Sequence, residues 1–173
     1  MPVRANFTPF NLLARQLADI DGMAVKVGAV GAGAAELEAD SGLTLAELWH
    51  IHEYGTADGH IPERAPLRKA LVAGRDELAV VYRKVAYGVL TGKLTARQAL
   101  GLLGLRAKTL VQETIIAGVD PPNATSTILR KGSSTPLIDH GQLYRSVDFE
   151  IMSAEGKSEA AVVALPAVAS EAA

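Results

Sequence analysis

Three histidines and a glutamate fall close together at His50, His52, Glu53 and His60. Imidazole with carboxylate is the donor set of catalytic zinc and manganese sites. Spacing decides whether they can act together. If residues 45–54 are helical, positions i and i+2 point about 200° apart and cannot share a metal. The helical zinc motif needs histidines at i and i+4 with a glutamate between, and this chain lacks that pattern. Were the segment a strand, His50 and His52 would share a face, and a small metal-dependent enzyme would be the alternative reading. Gly28, Gly31 and Gly33 follow an expected strand, where a dinucleotide loop would sit. Glu36 stands where that loop needs a third small residue, and its charge would repel a pyrophosphate. A loose, unstructured loop is the simpler reading. No cysteine and no Gly-x-Ser-x-Gly elbow is present, and Ser126, Ser133, Ser134 and Ser146 have no base nearby in sequence. Arg130 and Lys131 form a small basic pair, read as a solvated arm or as a contact for DNA or an acidic partner.

Composition narrows the choice. The 173 residues are 49% hydrophobic and 5% aromatic, enough for one domain with a core of packed helices and a small sheet. The net charge is −2 and the pI about 6.1. A protein that grips nucleic acid usually carries a basic face and a basic pI, so tight DNA binding is not expected as the main role; a minor DNA-binding protein built on helices two to four, with Arg130 and Lys131 on the phosphates, is a further alternative. The absence of cysteine removes disulfides and thiolate metal sites. Met1 to Asn6 leads into no apolar signal segment. No apolar run reaches the ~20 residues of a membrane span, so no membrane partner is expected.

The elements follow from periodicity and caps. Thr8 and Pro9 predict the start of a helix that runs to Ile20 and stops at Gly22. Met23, Val25, Val27 and Ala29 alternate as a strand over 23–30. Thr44 with Glu47 is a capping box for a second helix that ends before Gly55. Pro66 opens a third, with Leu67, Leu71, Gly74, Leu78, Val81, Val85 and Val89 in one stripe. A continuous helix over 66–91 would be about 39 Å long at ~1.5 Å per residue. Thr95 with Gln98 caps a fourth, stopped by Gly118 and Pro121-Pro122. Residues 123–135 read as a polar, mobile arm and 139–144 as a short turn or helix. Val147, Phe149 and Ile151, then Ala160, Val162 and Ala164, predict a C-terminal hairpin near 147–165 that pairs with the first strand. The expected fold is α+β: a small antiparallel sheet packed by about four helices, one long. Residues 1–165 form the domain and 166–173 a flexible tail.

Two segments carry a resemblance. Glu53-Tyr54-Gly55-Thr56 is followed by Ile61-Pro62-Glu63-Arg64-Ala65-Pro66-Leu67-Arg68, and later comes Pro136-Leu137-Ile138-Asp139-His140-Gly141-Gln142-Leu143-Tyr144-Arg145-Ser146. Each has a local reason: Gly55 permits a chain reversal, Ile61-Pro62 is extended, and Asp139 with Gly141 suits a tight turn. In this order, with a helical stretch between, they resemble the tail-completion, or head–tail joining, proteins of long-tailed bacteriophages. Ala65-Pro66 replaces the usual Pro-aromatic pair, losing an aromatic anchor, and His140 replaces a threonine. The resemblance covers Leu45 to Ile151. It implies a non-enzymatic virion protein, made in the host bacterial cytoplasm, that assembles as a ring at the phage neck. Such rings are typically six-fold. The implied partners are further copies of the chain, the tail tube or tail terminator protein, and the head-closure or connector protein. DNA would pass through the ring without specific binding. No cofactor, metal or catalytic residue comes with the resemblance. Tyr54, Gly55, Arg64, Arg68, Arg130, Lys131, Asp139, Gly141 and Arg145 are the expected structural or interface positions.

Overall fold

The computed structural model describes residues 8–39, 41–132, 136–138, 141–153 and 158–159. It is α+β. In chain order the elements are α1 (Thr8–Ile20), β1 (Ala24–Ala29), α2 (Leu45–Tyr54), α3 (Pro66–Ala73), α4 (Arg75–Leu90), α5 (Ala96–Ala117), α6 (Thr125–Lys131), α7 (Gln142–Arg145), β2 (Val147–Met152) and β3 (Ser158–Glu159). The strands lie in the order β1-β2-β3, all antiparallel. In β1–β2 the register pairs Val25 with Ile151, Val27 with Phe149 and Ala29 with Val147. The apolar sets of the two strands therefore share a face, and α5 packs on it. β3 pairs with Ile151 and Met152 over Ser158–Glu159, within the stretch expected to be the hairpin's turn, while Ala160, Val162 and Ala164 lie outside the described residues, as does the 166–173 tail.

Both expected capping boxes form. Thr44 and Thr95 accept hydrogen bonds from the Glu47 and Gln98 amides, and those side chains accept from the threonine amides in return. Helix α5 is the axis of the molecule. Its N-terminal half contributes Ala99 to a cluster with Val85 and Val89 of α4, to which Ile20 of α1 is added. Its C-terminal half contributes Val111 and Ile115 to the main core, with Trp49, Ala70, Leu137, Leu143 and Val147. Trp49 is 3% exposed and Val111 and Ile115 are fully buried.

Four expectations are corrected. The continuous helix over 66–91 is two helices parted at Gly74, whose ψ of 5° turns the chain. The hydrogen-bond ladder nearly survives, since Gly74 donates to Ala70 and Leu78 to Gly74. A Cβ at residue 74 would collide with Leu110 of α5, so the glycine lets the two helices close up where the chain bends. The longest helix is instead α5, with 22 residues. The glycine-rich stretch is a 3₁₀ helix over Gly31–Ala35 rather than a loose loop. The expected mobile arm contains α6.

Candidate functional site

The residues singled out in the sequence meet mainly at one corner, where α2 ends and α3 begins. Gly55 has φ 74° and ψ −178°. This is not the left-handed helical conformation expected there but an extended mirror-image one open essentially to glycine alone. It also has no room for a side chain: a Cβ would stand 2.9 Å from both the Ile61 oxygen and the Glu63 nitrogen. The loop behind it closes on itself, the Thr56 amide donating to Ile61 and the Ile61 amide to the Thr56 hydroxyl, each at 2.9 Å. The extended strand then docks on α2 through the Arg64 and Ala65 amides, which both donate to the His52 carbonyl.

Helix α3 starts without a cap of its own. Its N-cap residue is Ala65, at φ 49° and ψ 51°, with no side chain able to accept a hydrogen bond. Glu53 does the capping from the last turn of α2. Its carboxylate accepts from the Leu67 amide at 2.9 Å, the Arg68 amide at 3.1 Å and Arg68 Nε at 2.9 Å. Glu53 is 5% exposed, and its charge faces the positive end of the α3 dipole. Arg68 also donates to the Glu53 carbonyl and to the Glu63 carboxylate. These carboxylates hold its guanidinium even more firmly protonated than usual, Glu53 contributing most. The same guanidinium lies 5.2 Å from the centre of the Tyr54 ring, within cation–π range. Tyr54 itself remains 59% exposed.

Arg64 points the other way, into the protein. It is buried, and Nε donates to the Pro121 carbonyl at 3.0 Å, with Nη2 near the Pro122 carbonyl and Asn123 Oδ1 at 3.4 and 3.5 Å. Among the described residues it meets carbonyls and an amide rather than a carboxylate. Burial lowers its pKa, yet leaves so strong a base protonated. Lys69 adds a hydrogen bond to the Asp120 carbonyl, so two cations anchor the chain leaving α5.

The second motif joins the same corner. Trp49 Nε1 donates to Ser146 Oγ at 2.9 Å, and that hydroxyl donates to the Leu143 carbonyl at 2.8 Å. Leu137 and Leu143 are buried against Trp49. Gly141, at φ 72°, precedes α7, and Arg145 is exposed at its end. Arg130 and Lys131 close α6. Asp139 lies outside the described residues.

The metal reading gains no support from this arrangement. His50 is exposed and stacks against Tyr54, ring centres 4.8 Å apart. His52 is half-buried on another side of the helix, Glu53 is committed to α3, and His60 is exposed in the loop. Among the described residues no three histidine or carboxylate side chains gather as a metal site, and no helix is long and apolar enough to cross a membrane. A groove of about 390 Å³ beside β1, lined by Val25, Val27, Leu71, Leu78, Tyr82 and Leu103, is almost wholly apolar and offers no acid–base pair.

Sequence reasoning treats Glu53 as a metal donor and as the first residue of the Glu-Tyr-Gly-Thr motif, and misses its capping role. The signal was present: Ala65 precedes Pro66, so the first amides of the next helix had no local acceptor. Comparison with protein-family models, with curated proteins and with solved structures finds no match to this chain.

Proposed function

We propose that this chain is a non-enzymatic structural protein of a long-tailed phage virion, assembling as a ring at the neck that completes the tail and joins it to the head. The observation that carries the reading is the meeting of the two motif segments on α2. Residues far apart in sequence, Glu53, Gly55 and Arg64 in one and Leu137, Leu143 and Ser146 in the other, build one clasp. The polar groups of Glu53 and Arg64 hold backbone in place. Such a clasp suits a part that must keep its shape in an assembly. Large apolar side chains left exposed on the helices, including Val72, Tyr87 and Ile116, provide surface for subunit and tail or head-closure contacts.

Immunogold electron microscopy of the source particles, with antibody to this chain, tests the placement. Label at the head–tail joint is expected. Intact particles without label, when disrupted particles bind the antibody, would remove the neck assignment.

A further inference from the structure

The small net charge conceals a division along the chain. From Asp19 to Glu63 there are nine carboxylates against the single cation Lys26, a net of −8. From Arg64 to Gln112 there are ten cations against Asp76 and Glu77, a net of +8. Folding gathers part of each set at one end, although Asp21 follows Ile20 to the α4–α5 cluster and Arg64, Arg68 and Lys69 lie at the α2–α3 corner. Ala99 belongs to the cluster at the α4–α5 turn and Ile115 to the cluster around α2. Sixteen residues of one helix separate them, about 24 Å at ~1.5 Å per residue. The carboxylates from Glu36 onward, Glu47 among them, lie around α2, at one end. The turn between α4 and α5 stands at the other.

The cations near α2 are engaged within the fold: Arg64 and Lys69 on carbonyls, Arg68 on Glu53 and Glu63. Arg106 is held by Glu77 and Glu113, and Lys108 by Asp148. Arg83, Lys84 and Lys93 are exposed and make no ion pair among the described residues. On α4, Val80, Arg83, Lys84, Tyr87 and Leu90 recur at helical spacing on one face. Of these, Tyr87 is 65% exposed and Leu90 55%. At the opposite end, Leu37 and Tyr54 are exposed among Glu36, Glu47 and Glu63. Each end thus pairs exposed apolar groups with charge of one sign, the anatomy of an interface with an apolar centre and a polar rim.

We infer that the protein associates head to tail with further copies of itself, the basic α4–α5 hairpin of one copy seating on the acidic end around α2 of the next. The inference deepens the ring reading above and rests on it for the closure of the ring. Two different surfaces in contact form a heterologous interface, which generates a closed ring or an open filament rather than an isolated pair. The chain itself supplies the complementary charge, and the apolar groups between the cations favour a protein partner over a phosphate backbone.

The test is sedimentation velocity on the wild-type chain and two charge-reversed variants. In Lys84→Glu/Lys93→Glu two cations of the hairpin become carboxylates. In Glu36→Lys/Ala46→Lys a carboxylate and a nearby exposed alanine of the α2 end become cations, since the Leu45 amide bonds the Glu36 carbonyl. Wild type is expected to associate with rising concentration, and less so as salt goes from about 0.1 to about 1 M, where the screening length falls from ~10 to ~3 Å. Each variant alone should associate about tenfold more weakly, with circular dichroism confirming its fold. An equimolar mixture of the two should recover assembly, because the new carboxylates of one variant meet the new cations of the other. Recovery is a result that misfolding cannot produce. Wild type that stays monomeric at low salt overturns the inference, as do variants that assemble unchanged. Loss of binding to a short DNA duplex in Lys84→Glu/Lys93→Glu, with self-association intact, would assign the basic end to phosphate instead. None of these failures touches the neck placement, which particle labelling decides separately.

Discussion

Removing the Glu53 carboxylate should cost far more than removing an ordinary surface charge. The carboxylate accepts two backbone amides at the start of α3, at 2.9 and 3.1 Å, and Arg68 Nε at 2.9 Å. The Arg68 side chain is 53% exposed, so its share is discounted: it can turn to water and keep Glu63. The amides have no such recourse, because Ala65 offers no substitute acceptor. Two hydrogen bonds to a charged group at ~1.5 kcal/mol each give about 3 kcal/mol for Glu53→Ala. Glu53→Gln keeps one oxygen but turns an N–H toward donors, and about 1–2 kcal/mol is expected. Urea unfolding followed by circular dichroism measures both. With a slope near 2 kcal/mol/M, the midpoint of the alanine variant should fall by about 1.5 M. Arg68→Ala should lose less than about 1 kcal/mol. A loss under about 1 kcal/mol for Glu53→Ala, or equal losses for Arg68→Ala and Glu53→Ala, would refute the capping argument.

Other positions give further checks. Gly55→Ala should destabilise by about 2–4 kcal/mol, because its mirror-image backbone costs any other residue ~1–3 kcal/mol and the methyl meets backbone that cannot retreat; a midpoint within error of wild type in the same urea assay would contradict this. Gly104→Ala sets a gain of ~1 kcal/mol in helix propensity against a collision with the Phe149 ring costing ~1–3 kcal/mol. The net should be destabilising, and a more stable variant would show that α5 stands further from β2 than described. The Thr44 amide and hydroxyl lower the pKa of Glu47, and Arg106 lowers that of Glu77, both from 4.5. Depressed carboxylates stabilise the fold above their unfolded value, and that contribution is lost as pH falls through the folded value. Stability should therefore decline as pH drops below 4.5, and Thr44→Ala should raise the Glu47 midpoint toward that value in a carboxylate NMR titration. An unmoved midpoint would mean the capping box contributes nothing to it.

What the sequence revealed, and what it hid, follows from the range of each interaction. Thr44 with Glu47 and Thr95 with Gln98 announced their helices because a capping box is complete within four residues. Alternation in Met23–Val30 and Val147–Ile151 gave two strands and the face they bury. The break at Gly74 was invisible because its cause, Leu110, is remote in sequence and the apolar stripe runs on across the bend. Helix α6 escaped because its Leu129 is 80% exposed: a helix without a buried stripe has no period to read. The role of Glu53 depends on a helix start fourteen residues away, which nothing within the α2 sequence announces. Trp49 and Ser146, 97 residues apart, could be joined only by the fold.

A net charge near zero does not say where charge lies. The total is −2, yet partners respond to local potential, which decays over ~8–10 Å at working salt. Ends separated by about 24 Å of helix do not cancel for anything that touches one of them. In the proposed association, the division that leaves the total near zero sets each end against the opposite end of another copy. A chain with this pattern can be neutral overall and still be strongly directional in association. It also gains a limit on growth: a ring that closes satisfies every end, whereas a filament always leaves two ends unmatched, one of each sign. Closure is then favoured by the same charges that drive the first contact.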